Sequence, residues 1–131
     1  ATGLSYWADR DSYWLSVAVQ SSMVEVDATT GATKNHLGVG GDWTIEGDGF
    51  GLDVGPHCPS FTPDGTLLLF DNESPVDGTS RILEYELDFA AKIAEQFRWY
   101  KSAGWDGQGG GVLFTGYCTP ILEGSLSVGG T

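Results

Sequence analysis

Three side chains in the sequence are best suited to chemistry, one histidine and two cysteines, at His57, Cys58 and Cys118. A neutral imidazole is nucleophilic near pH 7, so His57 could hold a transferred group between two half-reactions. The alternative for His57 is a histidine that is merely satisfied by hydrogen bonds within the fold. Two cysteines are too few for a structural zinc site, which leaves a disulfide bridge or two buried thiols, and no metal site is predicted there.

A second set of candidate ligands follows an apolar run in the middle of the chain. Asp71, Asn72, Glu73 and Asp77 carry oxygen atoms of the kind that Ca²⁺ prefers. Their spacing does not follow the EF-hand loop, so a solvated turn is the simpler interpretation and Ca²⁺ the alternative. No other cofactor is predicted. Asn72-Glu-Ser74 is an N-glycosylation sequon, so Asn72 could also carry a glycan.

The charge of the chain restricts its partners. Lys and Arg total 6 against 18 Asp and Glu, which gives a formal charge of −12 at pH 7. A nucleic-acid backbone would be repelled, so no nucleic-acid partner is expected. No window approaches the roughly 18 consecutive apolar residues of a membrane helix, and the N-terminus lacks the layout of a signal peptide. We expect a soluble, mature chain, and an extracellular setting suits its acidity.

Short β-rich runs and turn dipeptides are spread along the whole chain, which predicts an all-β fold. One segment departs from this pattern: in Asp88–Gln96, three alanines and Ile93 could form one or two helical turns. Turns are expected at Asp27–Gly31 and at Pro63–Gly65. The predicted strands span residues 13–19, 22–26, 66–70, 81–87 and 97–100.

The order of these elements returns after about sixty residues. Met23-Val-Glu-Val26 matches Ile82-Leu-Glu-Tyr85, 59 residues later, and Pro56–Leu67 is echoed by Gly116–Leu126. A fixed period of this size indicates stacked supersecondary units, and four-stranded units with Pro-Asp-Gly turns are typical of β-propeller blades. We predict about two and a half blades of four antiparallel strands, spanning residues 1–50, 51–108 and 109–131, with the last incomplete.

The predicted blades are too few to close a ring. A propeller closes with about four to eight blades, and a shorter stack leaves apolar faces and strand edges exposed. We therefore expect the remaining blades to come from a longer parent chain or from other subunits. The isolated chain should then be oligomeric, aggregated or poorly folded.

Three stretches, taken together and in order, resemble the arylsulfotransferase (aryl-sulfate sulfotransferase) family. Leu15–Asp27, followed by Thr30-Gly31 and Leu37-Gly38, is similar to the family's strand, its "EID..TG" turn and its "W.LGG" run. Gly55–Tyr85 resembles the blade "QHDAR..PNG..LLFDNG....SR..EY". Gly116–Gly130 resembles the next blade, "GDVQRLPNGNTLV.WG".

The resemblance implies a six-bladed propeller, periplasmic or otherwise extracellular, that moves a sulfuryl group between phenolic esters and phenols without a nucleotide donor. His57 matches the family's channel histidine, which implies that it is the nucleophile. The arginine that follows this histidine is Ser60 here, and Ala18 replaces a sulfate-reading arginine. The family's "H.NS" motif would fall at or before Thr2, where Thr replaces the asparagine. These departures favour the alternative function, a non-catalytic extracellular propeller that acts as a scaffold or binding module.

The repeat also relates the two cysteines to each other. His57-Cys58 and Tyr117-Cys118 hold the same place in adjacent predicted blades, so the two thiols would lie near one another. In an extracellular protein this favours a Cys58–Cys118 disulfide, with two free buried thiols as the alternative. His36 stands where the family has Trp, so packing explains it better than chemistry.

Overall fold

The computed structural model describes residues 3–17, 20–49, 56–71 and 81–100, and the backbone of two strands at 116–120 and 126–130. Eleven strands in three sheets account for most of these residues, and 3-10 conformation occurs at Ala8–Arg10 and at Gln20. The predicted all-β class is confirmed. The strands are β1 Gly3–Trp7, β2 Ser12–Val17, β3 Ser22–Asp27, β4 Thr33–Gly38, β5 Thr44–Glu46, β6 Pro56–Phe61, β7 Leu67–Asp71, β8 Arg81–Asp88, β9 Ile93–Tyr100, β10 Gly116–Pro120 and β11 Leu126–Gly130.

Sheet 1 is an antiparallel meander in the order β1-β2-β3-β4. Successive side chains of a strand point to opposite faces, and Trp14, Met23 and Leu37 share one face and are fully buried. The turn between β3 and β4 is the predicted one. The Asp27 carboxylate accepts hydrogen bonds from two following backbone N–H groups at 2.9 and 2.8 Å, and Gly31 takes a φ of 74°.

Sheet 2 has five strands in the order β5-β9-β8-β7-β6. Four of them form a second antiparallel meander, and β5 lies parallel to β9 at the edge. The predicted Pro-Asp-Gly turn joins β6 to β7. The Gly65 N–H donates to the Thr62 carbonyl at 2.9 Å, and Gly65 takes a φ of 82°, which residues with a side chain rarely adopt.

The predicted helical turns within residues 88–96 are wrong, because this segment is a β-hairpin. β8 ends at Asp88, whose carboxylate accepts hydrogen bonds from the N–H groups of Ala90 and Ala91 at 3.0 and 2.9 Å. β9 then begins at Ile93. Alanine has the highest helix propensity, but tertiary context overrides propensity, and here the pairing of β9 with β8 does so.

The hydrophobic core lies between sheets 1 and 2. Phe89, in the β8–β9 turn, packs against it with its ring edge-on to Trp43 at 5.2 Å. Burial of each large side chain contributes about 1.5–3 kcal/mol, so this interface is a main source of stability. The buried cluster comprises Trp14, Met23, Leu37, Trp43, Leu67, Leu69, Leu83, Tyr85 and Ala94.

The first strands of the antiparallel meanders of sheets 1 and 2 and the first strand of sheet 3 lie side by side. β6 packs against β1 and β2 of sheet 1, and β10 packs against β6 and β7 of sheet 2. β10 pairs with β11 to form sheet 3. The three sheets therefore follow one another in chain order, and the first strand of the sheet 2 meander, β6, contacts both β1 of sheet 1 and β10 of sheet 3. The sheets of the described residues do not form a closed ring.

One strand crosses the predicted boundary between the first two units. β5 lies within the range 1–50 that was assigned to the first unit, but it pairs with β9 of sheet 2. The pairing is parallel, and parallel strands are joined by long connections that leave no local turn signal in the sequence.

Candidate functional site

His57 lies on β6, the strand at the junction between the sheets. Its backbone pairs with Phe70 of β7, and only 4% of the residue is exposed. The predicted nucleophile is thus on the first strand of the sheet 2 meander, in a buried position. Its catalytic role stays a prediction.

The backbone of β6 is irregular next to His57. Its register with β7 shifts between His57 and Ser60, and Cys58 takes a φ of 44°, in the left-handed region. Non-glycine residues rarely adopt this conformation, and such strained positions cluster near functional sites. Strand β1 comes very close at this point. A Cβ on Gly3 would lie 2.5 Å from both the Cα and the backbone nitrogen of Cys58, so the two backbones leave no room for a side chain.

The Cys58 thiol is half-buried, and burial raises its pKa. The protonated thiol therefore predominates at neutral pH, which makes Cys58 a poor nucleophile. Cys118, its predicted partner, lies on β10, and β10 packs against β6. The Cys118 side chain lies outside the described residues, so the disulfide stays a prediction.

The basic side chains determine whether the region can receive a sulfate ester. Five of the six Lys and Arg residues are described, and each lies 2.5–3.9 Å from a carboxylate oxygen. Ser60 is half-buried where the resemblance expects an arginine, and Ala18 and Thr2 lie outside the described residues. Within the described part of the chain, every cation is thus engaged by a carboxylate. The pairs are Arg10–Glu25, Lys34–Asp27, Arg81 with Asp48 and Asp71, Lys92–Asp42 and Arg98–Glu84.

One of these pairs is the centre of a buried polar cluster. The Glu25 carboxylate on β3 accepts hydrogen bonds from Arg10 Nε and Nη2 at 2.7 and 3.1 Å. It also accepts from Ser12 Oγ at 2.7 Å and from Asn35 Nδ2 at 2.5 Å. Burial raises the pKa of Glu25, but the bonds from Arg10, Asn35 and Ser12 outweigh it and hold the pKa below its ordinary value. The Arg10 guanidinium carbon lies 3.6 Å from the centre of the Phe89 ring, so the cluster connects sheet 1 to the β8–β9 turn.

The first proposed calcium ligand, Asp71, forms another buried ion pair. Asp71 is fully buried at the end of β7, and Arg81 Nε donates to its carboxylate at 3.1 Å. Arg81 also donates to Asp48 Oδ2 at 2.8 Å and to the Gly49 carbonyl at 3.1 Å. The remaining proposed ligands and the sequon lie outside the described residues, so the Ca²⁺ site and the glycan stay predictions. Those ligands are Asn72, Glu73 and Asp77.

A cleft of about 490 Å³ opens along β5, β8 and β9. Three carboxylates cross it in one row, because Glu46 pairs with Glu95 and Glu95 pairs with Glu86. Like charges directly opposite one another are destabilising, so this row adds to the negative charge of the cleft without adding stability. Among the described residues, no group of three or more His, Cys, Asp or Glu is arranged to hold a metal ion.

The sequence contains only part of the signal for this cleft. Glu84, Glu86 and Asp88 stand at every second position of β8. This period of two indicates a strand with its acidic residues on one face. The contribution of Glu46 depends on the parallel pairing of β5 with β9, which no local pattern indicates.

No protein-family model matches the chain, and no curated protein matches it. In the part of the chain that the structure describes, no helix is long and apolar enough to span a membrane. The resemblance to arylsulfotransferases therefore depends on the sequence motifs alone.

Proposed function

We propose that the chain forms part of an extracellular β-propeller of the arylsulfotransferase type and acts as a non-catalytic scaffold or binding module. One observation carries the propeller assignment: β6, the first strand of the sheet 2 meander, lies between β1 and β10, the first strands of the sheet 1 meander and of the β10–β11 hairpin. In a propeller, the innermost strands of adjacent blades are neighbours around the central channel. Two antiparallel meanders that pack face to face also fit this architecture.

The scaffold role is supported by the engagement of the cations. A sulfuryl group in transfer carries negative charge on three oxygens and needs cationic or hydrogen-bonding groups around it. Arg10 and Arg81 are instead held by Glu25 and Asp71, and the chain as a whole carries a charge of −12. The loss of one transition-state donor typically costs on the order of 10² to 10³ in rate.

A catalytic function is the second candidate, and the strained backbone beside His57 favours it. In that mechanism an imidazole nitrogen attacks the sulfur of a phenolic sulfate, the phenol leaves, and a second phenol takes the sulfuryl group from the histidine. The left-handed Cys58 and the register shift of β6 are features that occur next to active sites.

The assay that separates the two functions is the transfer of a sulfuryl group from 4-nitrophenyl sulfate to phenol. The release of 4-nitrophenolate measures the rate of this transfer. We expect no release by the wild-type chain above the buffer blank. The variants to compare are His57→Gln and, as a matched control, His36→Gln, because these are the two histidines of the chain. Release that His36→Gln keeps and His57→Gln loses would establish the enzyme and overturn the scaffold role.

The propeller assignment has its own test in the predicted disulfide. If β6 and β10 are adjacent inner strands, a Cys58–Cys118 bridge would close a loop of about 60 residues and stabilise the fold by roughly 3–4 kcal/mol. Non-reducing peptide mapping should then recover the two cysteine peptides as one linked species. Two alkylatable thiols in the native protein would exclude the bridge.

A further inference from the structure

β5 is the shortest strand of sheet 2 and lies at its edge. It contains three residues, Thr44–Glu46, and among the described residues β9 is its single strand partner. Thr44 and Glu46 are exposed, whereas Ile45 is partly buried and packs against the core. A short edge segment with little buried apolar surface can open locally while the rest of the sheet stays folded.

The chain is firmly attached just before β5. The Trp43 side chain is 6% exposed within the core, and its Nε1 donates to Asn35 Oδ1 of β4 at 2.9 Å. The Asp42 carboxylate binds Lys92 Nζ at 2.5 Å, and the Thr44 N–H donates to the Lys92 carbonyl at 2.9 Å. These contacts fix the start of β5 to sheet 1 and to the β8–β9 turn.

A second attachment follows the strand. Gly47 takes a φ of 108°, and a Cβ there would lie 2.7 Å from the Gln96 Cβ, so the chain turns close against β9. The Asp48 N–H donates to Gln96 Oε1 at 3.2 Å, and the Asp48 carboxylate accepts from Arg81 Nη1 at 2.8 Å. The Arg81 side chain is buried, so salt screens this ion pair less than it screens an exposed one.

Between the two attachments, β5 faces a like charge. Glu46 lies opposite Glu95, which lies opposite Glu86, and all three line the cleft. Adjacent strands are about 4.8 Å apart. The Debye length is about 30 Å at 0.01 M salt, which leaves the repulsion nearly unscreened, and about 3 Å at 1 M, which is shorter than the distance between strands. Repulsion at Glu46 thus opposes the burial of Ile45, and salt changes the balance between them.

We propose that β5 is a strap whose centre closes over the edge of β9 at high ionic strength and opens at low ionic strength, while both of its ends stay attached. In the closed state, Ile45 packs against the core and Glu46 forms one wall of the cleft. In the open state, Glu46 leaves the row of carboxylates, the cleft widens, and the backbone of β9 opposite the strap is uncovered. The inference goes beyond the proposed function and does not depend on it, because it uses only the contacts that hold β5.

Backbone amide hydrogen exchange of the full chain, followed by NMR, tests the strap. The Thr44 N–H points toward β9, so the N–H of Glu46, two residues later, points there too. Protection of the amide at position 46 is measured at about 0.01 M and about 1 M NaCl, relative to an unfolded peptide in the same buffer. In the wild type, salt should raise this protection about 2- to 5-fold, the size expected when a cross-strand like-charge contact is screened. The amides of β3, which is paired on both sides, report any effect of salt on the whole fold.

Two substitutions remove the repulsion, one from each strand. Glu46→Gln and Glu95→Gln should each raise the protection at position 46 in low salt to the level that the wild type reaches in high salt. Salt should then give no further gain, because it also weakens the exposed Asp42–Lys92 pair. Asp64→Asn is the matched control. Asp64 is exposed in the β6–β7 turn at the far side of sheet 2, so this variant loses the same charge and should keep the wild-type response to salt.

Glu46 and Glu95 are both exposed, so neither substitution should unfold the sheet, which circular dichroism checks. Protection at position 46 that equals that of the β3 amides in low salt would mean that the strap does not open, and would overturn the proposal. A wild type without a salt response, Gln variants that keep the response, or an Asp64→Asn variant that loses it would each overturn the proposal as well.

Discussion

Sheets 1 and 2 each bury a glutamate at the same place, and the two sites differ in depth. Glu25 lies on β3 and Glu84 on β8, each the third strand of its meander and 59 residues apart. Glu25 is bound by Arg10, Ser12 and Asn35, in a cluster that also contacts sheet 2 through the Phe89 ring. Its carboxylate is fully buried.

Glu84 has a different set of partners. It accepts hydrogen bonds from Thr66 Oγ1 in the β6–β7 turn at 2.7 Å and from the Tyr100 hydroxyl on β9 at 3.1 Å. Its ion pair with Arg98 is longer, at 3.4 Å, and the Arg98 side chain is 59% exposed. The difference shows that a shared position in the sheet does not fix the role of a residue. Glu25 connects two sheets, whereas Glu84 stabilises one.

Removal of the two carboxylates, one at a time, should give the largest difference in stability between the two sites. Glu25→Ala leaves Arg10, Ser12 and Asn35 without their acceptor, and loss of one partner of a buried pair costs about 3 kcal/mol or more. Glu84→Ala should cost about 1 kcal/mol, because water can reach its partners. Unfolding in urea at one fixed protein concentration measures both free energies. Equal losses would mean that the two sites are energetically alike despite their geometry.

Replacement of the paired arginines by lysine should give a smaller difference in stability between the two sites. Lysine cannot reproduce the two-pronged bond of Arg10 to Glu25 or its stacking on Phe89, so Arg10→Lys should cost about 1–2 kcal/mol. Arg98→Lys changes an exposed pair and should cost less than about 0.5 kcal/mol. The same urea titrations provide the values, and a loss for Arg98→Lys as large as that for Arg10→Lys would contradict the comparison.

The smallest effect is expected in the pH dependence of stability. The pKa of Glu25 is lowered in the folded protein from an ordinary value of 4.5. Its contribution to stability is therefore present above pH 4.5 and is lost as the pH falls through the lower, folded-state pKa. Thermal melting in this acid range should show a shallower decline for Glu25→Gln than for wild type, although Gln lowers the stability at neutral pH. Parallel curves for the two proteins would exclude Glu25 as a source of acid sensitivity.

Much of the fold could be predicted from local patterns. β-branched and aromatic runs with Gly and Asp turns located β2, β3, β7 and β8, because strand periodicity and turn chemistry are local properties. β5 could not be located, since its partner β9 is far away in sequence. The alanines of residues 90–94 misled the prediction because their helical propensity was outweighed by the pairing of β9 with β8.

The candidate site was predictable to a lesser degree. Motif similarity selected His57 as the match to a channel histidine, and the structure has this residue on β6. The left-handed Cys58 and the close approach of Gly3 depend on how two sheets meet, so neither has a local signature. The same holds for Arg10, whose guanidinium reaches Glu25 from a 3-10 turn that the sequence patterns did not indicate.

The position of β5 constrains the order in which the molecule can fold. The ribosome makes this strand before any other strand of sheet 2. In the described residues its only strand partner is β9, which is the last strand of sheet 2 to be made. Thr44–Glu46 must therefore wait until Ile93–Glu95 has emerged, and their pairing closes a long loop that carries a high entropic cost. Sheet 1 contains only neighbouring pairings and can form during synthesis. The edge of sheet 2 should be completed late, which makes it a slow, non-local step in folding.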